Sequence, residues 1–303
     1  MITIIGALLP VFGVVLLGIV LKRIRFPGDG FWPYADRITY FVLFPVLLVE
    51  KLSVAELQRP ELLPMTIILV AAIALVSLAV LIFNGLTDKP TFTSLLQGSI
   101  RPNTYVGFAG ASALYGEEGL ALAALAIASI IPLVNLISVG AFSWFLQKHN
   151  PNGLLRNIIR NPLILGCITG LLLNVTDFPL PVFFRDFMAM VGRAALPMGL
   201  LSVGAGLVMR SIPHEALPIV VSSLFKLALL PLLVLGICNF RGIEGVAVGV
   251  MVLYAALPCS VSSYTLAVQL GGNREAMAGI ITLQTLLAMF TMPALLSWVD
   301  AFH

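Results

Sequence analysis

Long apolar segments separated by short polar ones run through the whole chain. Breaking the sequence at charged residues and at clusters of Gly, Pro and Asn leaves ten such segments, near 3–21, 34–50, 63–83, 92–115, 119–147, 161–175, 182–209, 215–238, 245–270 and 275–299. About 20 apolar residues cross the hydrocarbon core of a bilayer as a helix. The pattern therefore predicts an all-α, polytopic membrane protein with ten transmembrane helices.

The composition supports this prediction and excludes a soluble fold. Of the 303 residues, 59% are hydrophobic and only 10% are charged, whereas soluble domains are roughly 45–50% apolar and about 25% charged. Ten spans leave no room for a sizeable aqueous domain, so the function must lie among the helices. The basic residues are scattered between apolar runs, which argues against a nucleic-acid partner.

The basic residues indicate an orientation, because cytoplasmic loops carry the excess of Lys and Arg. With both termini outside the cytoplasm, ten basic residues fall in cytoplasmic loops against four in outer ones. We therefore expect a multi-pass protein of the cell (inner) membrane with both termini extracytoplasmic.

A polar, turn-rich stretch at 148–160 divides the chain into two halves, 1–149 and 154–303, of five predicted helices each. Because five is odd, the second half would enter the membrane from the opposite side. Pro102 is followed fourteen positions later by Gly116, and Pro258 fourteen positions later by Gly272. The pattern indicates inverted repeats with broken fourth and ninth helices, which point to a secondary transporter with a site near the midplane.

Prolines inside helices free backbone groups, and in a bilayer these groups must bond to protein, water or a ligand. The two predicted breaks are thus candidate substrate-binding positions. Alternatively, the prolines only kink helices for packing and nearby hydroxyls bond to the freed backbone. The polar candidates at the breaks are Asn103, Thr104, Ser260, Ser262 and Ser263.

Buried charge indicates the kind of solute. Arg101, Arg193 and Lys226 fall inside or near predicted spans, whereas no Asp or Glu falls clearly inside one. Because charges in mid-membrane usually face a cavity or a partner, an excess of positive charge favours an anion, with Arg101 as the best candidate. In the alternative interpretation, Lys226 extends to the surface and Arg193 pairs with Asp186.

The remaining polar residues give weaker signals. Asn135 and Gln284 could face the same cavity or make interhelical hydrogen bonds. His149, His214 and His303 sit in predicted loops or at the terminus, and no Walker or CxxC motif occurs. We therefore expect no enzyme, cofactor or metal site, and a coupling ion, sodium or proton, stays open.

Four segments together resemble the auxin efflux carrier family, to which malonate and malate carriers of bacteria are assigned. They are RPNTYVGFAGASALYGEEGLA, RNPLILGCITGLLLN, ALPMGLLSVGAGL and AALPCSVSSYTLAVQLGGNREAMAGIITLQTLLAMFTMP. The resemblance covers nearly the whole chain in order.

This resemblance implies a fold similar to that of the bile acid/sodium symporters. Helices 1, 2, 6 and 7 would form a scaffold domain, through which a homodimer could form, and helices 3–5 and 8–10 a mobile transport domain. The fourth and ninth helices would cross at Pro102 with Asn103 and at Pro258 with Cys259 and Ser260. Plant members carry an amide beside the second proline, so Cys259 argues against auxin itself.

The sequence as a whole favours a secondary carrier for a small organic anion, such as a carboxylate, that works by an elevator-like alternating-access mechanism in the lipid bilayer. Two alternatives remain open, a non-transporting membrane receptor or scaffold and a channel. The absence of a recognisable output domain favours transport over signalling.

Overall fold

A computed structural model describes residues 2–146, 160–208 and 215–302, and most of them are helical. The proposed boundary between the halves at 149–154 and the three histidines lie outside the described residues. The helices are α1 (Ile2–Arg23), α2 (Phe31–Ile38), α3 (Phe44–Ser53), α4 (Leu62–Val80), α5 (Lys89–Ile100), α6 (Thr104–Phe145), α7 (Pro162–Val175), α8 (Val182–Arg193), α9 (Ala195–Ala205), α10 (Ala216–Leu224), α11 (Leu230–Arg241), α12 (Val246–Ala256), α13 (Ser262–Leu270) and α14 (Arg274–Phe302).

Six helical segments are individually long and apolar enough to cross a membrane. These are Ile2–Arg23, Leu62–Gly85, Thr104–Phe145, Val182–Ala205, Ala216–Arg241 and Arg274–Val299, and two shorter apolar helices are Pro162–Val175 and Val246–Ala256. The chain is therefore a multi-pass, all-helical membrane protein in the part described. The ten-helix inverted topology stays a prediction, because the remaining predicted spans are divided among shorter helices.

Two prolines are preceded by π-helical turns that widen a span. Thr39–Leu43 joins α2 to α3 ahead of Pro45, and Phe225–Leu229 joins α10 to α11 ahead of Pro231. A proline has no N–H and its ring crowds the carbonyl four residues earlier. In the turn before the proline, each carbonyl therefore accepts from the N–H five residues later. The side chains of that turn point in different directions from those of a regular α-helix.

Pro102 and Pro258 lie where helices are interrupted. Residues 101–103 separate α5 from α6, and residues 257–261 separate α12 from α13. The segment after each proline ends at a glycine with positive φ, at +58° for Gly116 inside α6 and at +85° for Gly271 after α13. The predicted spacing runs from Pro258 to Gly272, but the residue with left-handed backbone in the second half is Gly271, one position earlier.

Two helix pairs pack at very short separation. Helix α1 packs on α9 and helix α3 on α7. A side chain on Gly204 would overlap the carbonyl of Val15, and one on Gly170 would meet the backbone of α3. Small residues allow such backbone contact between membrane helices. The assignment of these helices to a scaffold domain stays a prediction.

Candidate functional site

The two interrupted helices meet and bond to each other through backbone atoms. The Asn103 N–H donates to the Pro258 carbonyl at 2.8 Å, and the Ser260 N–H donates to the Arg101 carbonyl at 3.3 Å. Pro102 thereby lies opposite Cys259 in an isolated antiparallel bridge. Backbone N–H and carbonyl groups that each break leaves without a helical partner thus bond to each other across the two breaks. The two breaks form one structural unit, here called the crossing (residues 101–103 and 257–261).

Two buried glutamines hold the crossing from the side. Gln284 of α14 accepts from the Cys259 N–H at 2.9 Å and donates to the Gly98 carbonyl of α5 at 3.1 Å. Gln97 of α5 donates to the Ser263 carbonyl at 3.2 Å. Gln284 therefore makes interhelical hydrogen bonds and does not line the cavity, and Gln97 is a residue that sequence reasoning missed.

Lys226 does not extend to the surface. Its side chain is buried, and its Nζ donates to the carbonyls of Ala255 at 3.1 Å and Tyr254 at 3.4 Å. Both carbonyls belong to the last turn of α12, next to the crossing. Arg193, in contrast, is exposed, and the described residues show no ion pair between it and Asp186.

A cavity of about 440 Å³ lies against the crossing. Its walls come from the end of α2 and the π-helical turn after it, the start and the later half of α6, the start of α7 and the exposed side of α13. The lining residues are Asp36, Arg37, Tyr40, Phe41, Arg101, Pro102, Thr104, Tyr105, Ile131, Val134, Asn135, Val139, Arg160, Asn161, Pro162, Leu163, Ser260, Ser262, Thr265, Leu266 and Gln269. This volume is within the usual range of ligand pockets, about 300–1,000 Å³.

The charges around the cavity are mostly positive. Arg37, Arg101 and Arg160 line it together with a single acidic residue, Asp36. The guanidinium of Arg101 lies nearest the crossing and is within 3.4 Å of the Gln97 amide oxygen. Helices α6 and α13 also begin at the cavity. Because helix N-termini carry partial positive charge and free N–H groups, this surface favours an anion.

The predicted site residues fall into two groups. Those that line the cavity are Arg101, Pro102, Thr104, Asn135, Ser260 and Ser262. Those packed behind it are Asn103, Pro258, Cys259 and Ser263. The Cys259 thiol donates to the Ser263 hydroxyl at 3.3 Å, so these two residues bond to each other.

The oxygen and the nitrogen of the Asn103 side-chain amide have different surroundings. Its Oδ1 accepts from the N–H groups of Tyr105 at 3.2 Å and Val106 at 3.4 Å and so caps α6. Its buried Nδ2 has no hydrogen-bond partner among the described residues. Buried polar groups are rarely left unpaired, so this amide keeps an unused donor at the crossing, behind the residues that line the cavity.

Sequence reasoning missed cavity residues in the π-helical turn after α2, at the cap of α7 and on α13. Tyr40, Asn161 and Gln269 line the cavity beside the predicted residues. Asn161 precedes Pro162 and caps α7 through its Oδ1, which accepts from Leu163 N at 2.9 Å. An Asn followed by Pro is a typical helix start, so the cap could have been found, but its position on the cavity could not.

A separate set of ion pairs lies at the opposite end of the helices. Lys51, at the end of α3, bonds Glu117 at 2.8 Å, and Arg59 bonds Glu118 at the turn in α6. Glu56 pairs with Arg59 at 3.0 Å within the loop between α3 and α4. Hydrogen bonds to Glu118 and then to Glu56 raise the pKa of the Arg59 guanidinium. These pairs, here called the ion-pair end, join α3 and its following loop to α6.

Within the described ranges, no group of three or more His, Cys, Asp or Glu side chains could hold a metal ion. Cys167, Cys238 and Cys259 are buried and unbridged. The positively charged cavity at the crossing is thus the site that the geometry supports for a small molecule.

Comparison with known proteins agrees with a transport role. Residues 149–296 match the family model described as "Membrane transport protein". A "Putative malonate transporter" of Rhizobium meliloti (strain 1021) is 27% identical over 315 residues, which cover 96% of this chain and 94% of that protein. An "Uncharacterized transporter" of Methanothermobacter thermautotrophicus (strain ATCC 29096) is 22% identical over 293 residues, covering 94% and 95%.

Proposed function

We propose that this chain, which matches the membrane transport protein family over residues 149–296 and resembles the auxin efflux carriers in sequence, is a secondary carrier for a small organic carboxylate. The observation that carries the proposal is the cavity at the crossing, with three arginines and one aspartate around it. The relative named as a malonate transporter supports a dicarboxylate as the first ligand to test.

The carboxylate binds between the Arg101 guanidinium and the N-terminal ends of α6 and α13. Hydrogen bonds between ionised partners are about twice as strong as neutral ones, and helix N-termini add their dipoles. The free Asn103 amide supplies a further donor close by. Binding between two half-helices at one depth is the arrangement of broken-helix carriers.

Transport requires that the cavity face the two sides in turn. We assign the fold to ten helices in two inverted repeats, with α1, α2, α3 and α7–α9 as the scaffold and the other helices as the moving domain. The glycine contacts between α1 and α9 and between α3 and α7 support a rigid scaffold. The cavity is lined by Arg37, near the end of α2, and by Arg160, just before α7. Both are among the basic residues that assign this side to the cytoplasm, with both termini outside.

Binding is tested by titrating the purified protein with malonate. Arg101→Gln keeps polarity but removes charge, and a hydrogen bond to a charged group contributes about 1.5–3 kcal/mol. We expect affinity to fall roughly tenfold to a hundredfold. Arg241→Gln is the matched control, because Arg241 is exposed at the end of α11. Equal affinities for Arg101→Gln and wild type would refute the role of Arg101.

Transport itself is tested in liposomes with radiolabelled malonate. Saturable uptake that Arg101→Gln weakens is the result expected for a carrier. Non-saturable flux and binding without flux each contradict the proposal, the first by identifying a channel and the second by identifying a receptor.

A further inference from the structure

We propose that the ammonium of Lys226 is a tethered counter-cation for the broken end of α12, placed where a bound metal cation would otherwise meet the freed carbonyls. The crossing is then completed by the chain's own charge, and neither its stability nor substrate binding requires sodium. The inference assigns a role to a buried cation that the proposed carboxylate site does not use.

The break itself explains why two carbonyls of α12 are free. The Tyr254 carbonyl would normally accept from the residue four positions later, which is Pro258 and has no N–H. The Ala255 carbonyl would normally accept from Cys259, but that N–H donates to Gln284. Two adjacent acceptors at a helix C-terminus therefore need donors, in a place where the helix dipole favours positive charge.

The local structure of the neighbouring span brings Lys226 to these acceptors. It lies in the π-helical turn Phe225–Leu229, which turns its side chain inward. Its Nζ reaches the Ala255 and Tyr254 carbonyls at 3.1 and 3.4 Å, with the residue only 1% exposed.

Among the described residues, no carboxylate forms an ion pair with Lys226. A small cavity beside it is lined by apolar side chains of α4, α5, α6 and α11 together with Pro102, Tyr254 and Ala255, and none of its lining residues is a carboxylate. A buried cation is costly unless it is compensated. Here carbonyl oxygens compensate it, as they would compensate a hard metal cation.

The first test uses thermal unfolding without any substrate. Lys226→Ala removes the ammonium and leaves space, so propylammonium should raise the midpoint of Lys226→Ala in a saturable manner and leave wild type unchanged. Propanol, which has a similar shape without charge, should not rescue it. Lys22→Ala is the matched control, since Lys22 is an exposed lysine paired with Asp29 at 2.8 Å. Equal rescue by propanol, or a variant as stable as wild type, would overturn the proposal.

A second variant covers the case in which Lys226→Ala does not fold. Lys226→Met retains the volume but leaves the two carbonyls unpaired, so it should unfold at a lower temperature than wild type and gain nothing from propylammonium. A Lys226→Met protein as stable as wild type would show that the ammonium is not needed there.

The third measurement rests on the proposed carboxylate function. Wild type should bind malonate equally in sodium chloride and in choline chloride, and binding that requires sodium would contradict a tethered counter-cation. A protein that binds no malonate but shows amine rescue of Lys226→Ala would refute the proposed substrate and retain the role of Lys226. The two failures can therefore be told apart.

Discussion

Asn103 shows how one side chain can serve both folding and binding. Its Oδ1 caps α6 while its Nδ2 remains unpaired among the described residues. Serine caps helices about as well as asparagine, whereas alanine loses about 1 kcal/mol. The two functions of the side chain can therefore be separated by substitution.

We predict that Asn103→Ser and Asn103→Ala both weaken malonate binding, because each removes the amide donor. Only Asn103→Ala should also lower the free energy of unfolding, by about 1 kcal/mol, through loss of the cap. Calorimetric titration and denaturation of both variants measure these effects. Unchanged affinity in Asn103→Ser would leave the cap as the only role of Asn103.

Gln284 is a purely structural counterpart of Asn103. It joins the Cys259 N–H to the Gly98 carbonyl, so its amide spans the two broken helices. Gln284→Met has a similar shape and leaves both groups unpaired, and each buried unpaired group costs about 1–3 kcal/mol.

We therefore predict that Gln284→Met lowers the free energy of unfolding by at least about 2 kcal/mol. Gln269→Met is the matched control, since Gln269 is exposed on α13 and should tolerate the change. Denaturant titration of both variants measures the difference. Equal stability of the two variants would mean that the bridge across the crossing contributes nothing.

At the scale of helices, the contact between α1 and α9 depends on glycine. A Cβ on Gly204 would overlap the backbone of Val15, whereas a Cβ on Gly13 of α1 would meet nothing within 4 Å. The same substitution at these two positions therefore separates the effect of packing from the effect of helix propensity.

We predict that Gly204→Ala lowers the free energy of unfolding by about 1–3 kcal/mol, because the two backbones must move apart. Gly13→Ala should be neutral or slightly stabilising, since alanine favours helices. Thermal unfolding in detergent compares the two variants. A stable Gly204→Ala protein would show that the pair of helices is not in close contact.

The breaks at Pro102 and Pro258 could be predicted from the sequence because proline acts locally, through its own ring and its missing N–H. The positions of Gln284 and Lys226 on their helices could not. A polar residue in an apolar span shows that a partner exists, but not which neighbour it faces, and the π turn before Pro231 changes that direction for Lys226. The cavity walls from α2 and α7 were missed because Arg37 and Arg160 look like ordinary loop charges.

At the scale of the whole molecule, the cavity and the ion-pair end lie at opposite ends of the helices. Lys51 of the proposed scaffold binds Glu117 of the proposed moving domain, and Arg59 binds Glu118. In the proposed mechanism these pairs would hold shut the end that opens when the cavity changes sides. Exposed ion pairs contribute about 0.2–1 kcal/mol each, which is enough to bias two states of similar energy.

We predict that Glu117→Gln together with Glu118→Gln shifts the protein away from the state with an open cavity. A cysteine in place of Gln269, on the cavity wall, should then react with maleimide a few-fold more slowly. Glu56→Gln is the matched control, because Glu56 pairs with Arg59 inside one loop. An unchanged rate in the double variant would show that the ion pairs do not control opening.

The exposure of the ion-pair end has a further consequence for the electrolyte around the membrane. Glu117 is 82% exposed and Glu118 44%, so dissolved ions reach them freely, and the screening length falls from about 8 Å at 0.15 M to 3 Å at 1 M ionic strength. In vesicles with uniformly oriented protein, concentrated salt in the compartment facing these carboxylates should change the turnover rate. The same salt in the other compartment should not change it through these pairs. Through these pairs, such a protein would respond to the ionic strength of one compartment only.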